Sequence, residues 1–457
     1  MMLTKSDFLI YIKSPLHLWA KKNNQYSEEL TEYDKHLIKQ GYEVEALARE
    51  YVRKYIDKDA IYQKEYKTEE LLSKADIVVG NNIYEVKSTT SIEKEHKLDV
   101  CFQYYTASKI EDIDNIYLIY LNKEYVREGD IDLKELFIVK DMTEYVKENL
   151  HTVEGLIKEA ELITKLDNPK GLLECYRPKE CPCINLCHPN LPEYSIYSIA
   201  KADEKKLRLL KEDGILDIKD VPDSFKLSGK QRKQVDVAKS GNVYINKELV
   251  AKDLEDLQYP IYFLDYETYS WALPQYSKHK VYQFVVFQYS LHILSKDGEL
   301  THREYLCTTT SDPMKEILEN LSKDIKEEGS ILVWNKSFEM GCNKEMARIY
   351  PEYELFIEDI NSRIYDLGDI FSKQMYIDPK FKGSWSIKNV LPVLVPTLTY
   401  KGMDISNGTE AMVNWEKIVY GKVEMKERED IYDSLLKYCE LDTLAMYEIY
   451  KYLITLL

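Results

Sequence analysis

At 457 residues, with 44% hydrophobic and 31% charged residues, the chain has the size for two or three domains and the composition of a globular protein. Its formal net charge of −17 excludes loose binding to nucleic acid through a broad basic surface, but not an enzyme that clusters carboxylates to hold metal ions. No run of roughly eighteen apolar residues occurs, and the opening Met1-Met2-Leu3-Thr4-Lys5-Ser6-Asp7 lacks the apolar core of a signal peptide, so the expectation is a cytoplasmic protein with no membrane partner.

The chain begins with helical periodicity. Strands at residues 75–79 and 83–88 about the turn signal Gly80-Asn81-Asn82 predict a hairpin. A helix near 97–109, strands at 116–121 and 136–139 and a long amphipathic helix over 142–166 follow. Four cysteines then cluster, Cys175, Cys181, Cys183 and Cys187; in a cytoplasmic protein such a cluster points to metal before disulfide. Cys101, Cys307, Cys342 and Cys439 are scattered and read as buried thiols. Residues 194–255 read as mainly helical, with a small helix-hairpin-helix candidate at 207–221 and a basic stretch at 226–239 that is either a phosphate-contacting patch or a solvated helix face. A third block has strands at 261–266, within 282–294 and at 331–334, and closes with a helix at 433–454. The expected fold class is α/β, divided as 1–192, a helical connector at 193–256, and 257–457.

Two sets of acids carry chemistry. In Tyr262-Phe263-Leu264-Asp265-Tyr266-Glu267 two carboxylates stand at i and i+2 on an apolar strand, hence on one face. Paired carboxylates repel, and burying them calls for a divalent cation. Asn335-Lys336-Ser337-Phe338-Glu339 adds an acid where a strand runs into a helix, and Tyr438 and Asp442, four apart, share a face of the last helix. Asp366, Asp369, Trp385 and Lys388 are further candidates, the first two favoured as caps or surface residues and the last two as nucleic-acid contacts or as a plain loop leading into a helix. In the first block, Asp76 lies on one strand of the hairpin and Glu85 and Lys87 share a face of the other, with Gln103 on the helix that follows. Glu43, in Gly41-Tyr42-Glu43-Val44-Glu45, is the acid favoured to join them from an upstream helix. Ordinary surface acids are the competing reading for both sets.

Asp265 and Glu267, Asn335 to Glu339, and Tyr438 to Asp442 together resemble the DEDD exonuclease superfamily, the DnaQ-like proofreading fold, with Glu339 where that superfamily carries Asp. The resemblance implies an RNase H-like domain and a 3′→5′ exonuclease with two Mg²⁺ or Mn²⁺ ions about 4 Å apart, Tyr438 orienting the attacking water. Asp76, Glu85, Lys87 and Gln103 resemble the PD-(D/E)xK constellation of RecB-like nucleases, in which carboxylates hold the metal and the lysine steadies water or phosphate. RecB-like nucleases of the AddB and CRISPR-associated type carry an iron–sulfur cluster on one early and three late cysteines. The late group here is similar. The early position resembles Ser14-Pro15-Leu16-His17-Leu18-Trp19, with Ser14 where cysteine stands in that family, so a fourth ligand comes from the late group or from His188. Iron–sulfur and Zn²⁺ rank equally for this cluster, and a metal-free cluster is the third reading. The whole chain looks like a bacterial family that joins a RecB-like domain to a DnaQ-like domain. The implied function is a metal-dependent nuclease acting on nucleic acid, with DNA favoured as partner. The alternative, kept open by Glu339, is a binding or scaffold protein with one or both sites inactive.

Overall fold

Thr4 accepts a hydrogen bond from the Asp7 amide while the Asp7 carboxylate accepts one from the Thr4 amide, and this reciprocal cap turns β1 (Leu3–Thr4) into α1 (Lys5–Lys13). There follow α2 (Pro15–Lys22), α3 (Glu32–Tyr55), β2 (Ile61–Lys67), β3 (Leu71–Val79), β4 (Asn82–Lys87), α4 (Lys94–Ala107), β5 (Asn115–Leu121), α5 (Leu133–Leu136), β6 (Phe137–Asp141), α6 (Thr143–Ile163) and α7 (Ile184–Cys187). The computed structural model describes every residue except Met1 and Glu28. It is a mixed α/β protein of two compact units, one of Met1–Asn190 with Trp271–Gln283 and one of Leu191–Ser270 with Phe284–Leu457.

The first unit is built on a sheet of order β1-β3-β4-β5-β6, with β2 added antiparallel to β3. Gly80, at φ 54°, makes the turn that folds β3 antiparallel onto β4; β4 then pairs parallel with β5. Both faces are covered. On one, Phe8, Phe102, Val146 and Ile83 share a core. On the other, Val44, Ala48 and Val52 of α3 pack with Ile77, Tyr84, Val86 and Ile119. A sheet buried on both faces explains why these strands read as nearly continuous apolar runs. Residues 271–283, late in the chain, belong here: Arg127 Nη1 donates to the carbonyls of Pro274 and Gln275 at 2.9 and 2.8 Å, and the Tyr282 hydroxyl donates to the Ser88 carbonyl at 2.7 Å. The strand expected within 282–294 therefore begins only at Phe284.

The second unit opens with α8 (Glu204–Glu212), α9 (Gly229–Ser240), β7 (Tyr244–Ile245) and α10 (Lys247–Leu254). Residues 207–221 hold α8 and a single 3₁₀ turn, Ile218–Asp220, rather than two helices. Then come β8 (Ile261–Ser270), β9 (Phe284–Leu294), β10 (Leu300–Leu306), α11 (Pro313–Asp324), β11 (Ser330–Val333), α12 (Lys336–Ile349), α13 (Glu354–Ser362), β12 (Ile364–Asp366), α14 (Asp369–Ser372), β13 (Tyr376–Ile377), α15 (Ile387–Leu394), α16 (Gly408–Tyr420) and α17 (Met425–Leu456). The five-stranded sheet has the order β10-β9-β8-β11-β12, antiparallel among the first three strands and parallel from β8 to β12. Gly329, at φ 92°, precedes β11, where a Cβ would stand 2.0 Å from the Pro260 carbonyl oxygen; only glycine fits. No helix among the described residues is long and apolar enough to cross a membrane.

Candidate functional site

The central strand β8 carries Asp265 and Glu267 on one face, as its period of two requires. Asn335 caps α12 by accepting the Phe338 amide, and this sets Glu339 in the first helical turn, buried. On α17, Tyr438 and Asp442 are also buried. Asp442, Glu267 and Glu339 all act electrostatically on Asp265, so the four acids of the sequence reading form one cluster. Glu267, Glu339 and Asp442 are buried, and Asp265 keeps part of its surface open.

The charge balance of this cluster is unfavourable. Burial, then Asp442, Glu267 and Glu339, push Asp265 well above the carboxylate range, and Lys388 opposes them. Burial and Asp442 raise Glu267 in the same way, again against Lys388. Burial, with Asp366 adding, takes Glu339 up to about 8. Burial takes Asp442 to about 6, against hydrogen bonds from Tyr400 and Tyr438 and the charge of Lys388. Four acids facing one lysine cannot all ionise in a dry site without a further cation. Glu339 Oε2 is buried with no hydrogen-bond partner in the protein, an oxygen open to a water or a cation.

Three neighbours of this cluster were not assigned to it from sequence. Lys388 donates to the Tyr438 hydroxyl at 2.9 Å and to the Ser406 carbonyl at 2.7 Å, so it faces the acids. Tyr400 donates to Asp442 Oδ1 at 2.6 Å. Cys439, read only as a buried thiol, lies 3.9 Å from Asp265 Oδ2. Asp366 Oδ2 accepts the Lys336 amide at 2.9 Å and so caps α12, and Asp369 pairs with Lys373 at 2.8 Å. Trp385 is half exposed and its carbonyl accepts the Trp334 indole at 3.2 Å. In the basic stretch, Arg232, Lys233 and Lys239 are engaged by the protein's own oxygens: the Phe225 carbonyl at 2.8 Å, the Gln374 carbonyl at 3.0 Å and Asp223 at 2.5 Å.

In the first unit, Asp76 Oδ2 accepts the Val86 amide at 2.9 Å across the hairpin, beside Glu85. Lys87 Nζ stands 2.7 Å from Glu85 Oε1 and also pairs with Asp99. Lys5, from the first turn of α1, reaches the same Glu85 oxygen at 2.8 Å and Asp99 at 3.5 Å. Gln103 is fully buried and donates to Asp99 Oδ1 at 2.9 Å. Lys5 and Asp99 are thus additions that the sequence reading missed. Glu43 is corrected: it is exposed on α3, one position before the buried stripe of Val44, Ala48 and Val52. Glu45, on the other flank of that stripe, is the acid that approaches. Gln63 donates both to Glu45 and, at 3.2 Å, to Asp76 Oδ1. Gln63 sits at φ 55°, a left-handed kink in β2 opposite Asp76 that costs a non-glycine residue about 1 kcal/mol or more. The two hairpin acids are driven apart. Burial and Glu85 raise Asp76 to about 8, whereas burial of Glu85 is overruled by Lys87 and Lys5, which hold it below the carboxylate range.

The cysteine cluster gathers a histidine from the other end of the unit. One ligand atom each of His17, Cys175, Cys181 and Cys187 lie within 4.8 Å of one another. Cys181 Sγ is 3.4 Å from His17 Nε2, and Cys183 Sγ is 3.6 Å from Cys187 Sγ. Ser14, the position considered for an early ligand, instead caps α2 and donates to the Leu173 carbonyl at 2.8 Å; His17, one turn on, faces the cysteines. His188 contacts Cys175 Sγ at 3.5 Å through Nε2. A buried histidine with three thiols is a donor set that fits a tetrahedral cation. The four scattered cysteines are free and buried.

Residues 262–386 match the family described as a domain of unknown function, DUF2779. That stretch contains Asp265, Glu267 and Glu339 and ends before Lys388, Tyr438 and Asp442. The chain is similar to uncharacterized protein UU173 of Ureaplasma parvum, 32% identical over 176 residues that cover 34% of this chain and 26% of the relative. It is also similar to uncharacterized protein MG366 of Mycoplasma genitalium, 27% identical over 208 residues that cover 41% of this chain and 31% of the relative. The chain thus spans 26% and 31% of the length of these two curated relatives. No solved structure matches it.

Proposed function

We propose that the protein is a metal-dependent nuclease whose principal site is the acid cluster of the second unit. The observation that carries this reading is the convergence of Asp265, Glu267, Glu339 and Asp442 in a largely buried cluster with a single lysine, a balance that a divalent metal would relieve. The strand order β10-β9-β8-β11-β12, with its antiparallel-then-parallel pattern, supports an RNase H-like architecture for this unit. The β3–β4 hairpin bearing Asp76, Glu85 and Lys87 supports a PD-(D/E)xK architecture for the first.

Asp265, Glu267, Glu339 and Asp442 would hold Mg²⁺ or Mn²⁺. Bound metal supplies an activated water and neutralises the leaving oxygen of a phosphodiester. The chain's own residues position the rest. Tyr438 presents its hydroxyl to orient water, Lys388 holds that hydroxyl and lends positive charge beside the phosphate, and Tyr400 fixes the rotamer of Asp442. Nucleic acid, with DNA favoured, is the substrate, and the 3′→5′ direction rests on the DEDD resemblance.

The first unit is a second nuclease site of lower metal demand, because Lys5 and Lys87 already neutralise Glu85 and Asp99. The cysteine cluster is a structural metal centre. Its His17 and three cysteines favour Zn²⁺ over an iron–sulfur cluster, which is usually held by four thiolates.

The test uses end-labelled single- and double-stranded DNA and RNA with Mg²⁺ or Mn²⁺, comparing the wild type with Glu85→Ala and Asp265→Ala. Stepwise shortening from the 3′ end that disappears only in Asp265→Ala supports the proposal. Cleavage lost only in Glu85→Ala moves the activity to the first unit. No metal-dependent cleavage of any substrate by the wild type overturns the reading in favour of a binding or scaffold protein.

A further inference from the structure

Outside the acid cluster, the second unit brings together two histidines and a glutamate. His292 of β9 and His302 of β10 are direct cross-strand partners, and their rings stack with centroids 4.4 Å apart. Glu440 of α17 places Oε1 3.8 Å from His302 Nδ1. One ligand atom from each of the three lies within 4.8 Å of the other two.

Two hydroxyls hold the inner nitrogens of this group. The Thr443 hydroxyl stands 3.1 Å from the Glu440 carbonyl. The same hydroxyl is hydrogen-bonded with Ser290 Oγ at 2.7 Å and with His292 Nδ1 at 2.8 Å. Ser290 Oγ in turn is hydrogen-bonded with His302 Nε2 at 2.9 Å. Nδ1 of His292 and Nε2 of His302 are thus held by hydroxyls, which leaves Nε2 of His292 and Nδ1 of His302 for another partner. The second of these faces the Glu440 carboxylate at 3.8 Å. Glu304, beside His302 on the same face of β10, adds negative charge that Glu440 feels. Among the described residues, His302 is the only basic side chain within ion-pair distance of Glu440.

Two stacked imidazoles and a carboxylate whose ligand atoms lie this close together are a ligand set. We infer that His292, His302 and Glu440 form a second metal site on this unit, one that takes a divalent transition ion of the zinc type. Bonds of about 2.1 Å to such an ion require the ligand atoms to close up by about 1 Å, within reach of the Glu440 side chain, which is 46% exposed. The residues also have the connectivity of a Ser-His-carboxylate relay, but Ser290 is fully buried, so no substrate reaches its hydroxyl. The site is structural. Residues 440 and 442 point to nearly opposite sides of a helix, so a metal on Glu440 ties α17 to the β9–β10 edge while Asp442 and Tyr438 serve the acid cluster. It does not depend on the nuclease reading.

The experiment counts Zn²⁺ bound per chain by mass spectrometry after equilibration and gel filtration. It uses the Asp265→Asn background, so that ions in the acid cluster are largely out of the count. The variants are His302→Asn and, at the half-exposed position that leaves packing untouched, Glu440→Gln. Each is expected to bind one Zn²⁺ fewer than the background protein, while a Co²⁺-substituted sample keeps the thiolate charge-transfer band of the cysteine cluster. Equal Zn²⁺ content in the background and both variants overturns the inference. Loss of Zn²⁺ in both variants together with the thiolate band also overturns it, since the ion would then belong to the cysteines.

Discussion

Lys388 Nζ lies 2.9 Å from the Tyr438 hydroxyl and is the cation set against Asp265, Glu267 and Asp442. It therefore has two roles with separate readouts, lending charge to the acids and holding the tyrosine. Lys388→Met removes both. Metal affinity is expected to hold or tighten, because the acids lose their competing cation, while the cleavage rate falls roughly 10²-fold or more, the usual effect of removing one donor at a transition state. Calorimetric Mn²⁺ titration alongside initial rates checks this. A parallel loss of metal binding and rate would show instead that Lys388 only maintains the fold of the site.

The raised acids fix the sign of a pH dependence. Glu339 is pushed to about 8 and Asp442 to about 6, both above ordinary carboxylate values, and Asp76 of the first unit reaches about 8. An acid whose folded value exceeds its unfolded value binds more protons when folded. The stability it confers is present at low pH and is lost as pH rises through the interval from about 4 to 8. Glu85, held down by Lys87 and Lys5, is ionised in both the folded and unfolded states above about pH 5 and adds no slope over this range. The metal-free protein should therefore melt at a higher temperature near pH 5.5 than near pH 8.5. Mn²⁺ should abolish most of that difference, and Glu339→Gln should reduce it. A metal-free melting temperature that rises over the same range would contradict the charge balance described for the cluster.

Period-two reasoning on β8 and β4 was enough to pair Asp265 with Glu267 and Glu85 with Lys87, because a strand puts i and i+2 on one face whatever surrounds it. The helix faces were harder. Glu45 rather than Glu43 follows from the inward stripe of α3, the i+4 series Gln40, Val44, Ala48 and Val52, which is legible in the sequence. Lys5 and Asp99 approach Glu85 through tertiary packing between elements 80 and more residues apart or on a crossing helix, where no local period applies. Lys388 and Tyr400 come from short or irregular segments whose direction only the fold decides. The strands β10 and β12 were not foreseen: β10 is mixed in polarity and β12 is three residues long.

The cysteine cluster yields a direct contrast between two early residues. His17 Nε2 is 3.4 Å from Cys181 Sγ, while Ser14 is committed to capping α2 and to the Leu173 carbonyl. His17→Ala should strip metal from the centre, and Ser14→Ala should keep it at a cost of about 1 kcal/mol for the lost cap. Elemental analysis with an absorption spectrum checks both the ligands and the ion. A colourless protein with Zn²⁺ that is lost in His17→Ala is the expected result. A brown protein absorbing near 400 nm, unchanged by His17→Ala, would make the centre an iron–sulfur cluster on the four cysteines.

The first unit separates charge pairing from mere surface charge. Lys5 shares Glu85 and Asp99 with Lys87, and both carboxylates are almost fully buried. Lys5→Met leaves two buried carboxylates with one lysine, and breaking a buried pair by removing one partner costs about 3 to 5 kcal/mol. Glu43→Ala, on the exposed side of α3, should change stability by no more than about 0.5 kcal/mol. Denaturant unfolding measures both. Added Mn²⁺ should restore part of the Lys5→Met loss, because a divalent ion beside Glu85 supplies the positive charge that the lysine gave, and it should do nothing for Glu43→Ala. If Lys5→Met is destabilised to the same extent with and without Mn²⁺, the Asp76–Glu85 pair is a structural ion cluster and the proposed second nuclease site fails.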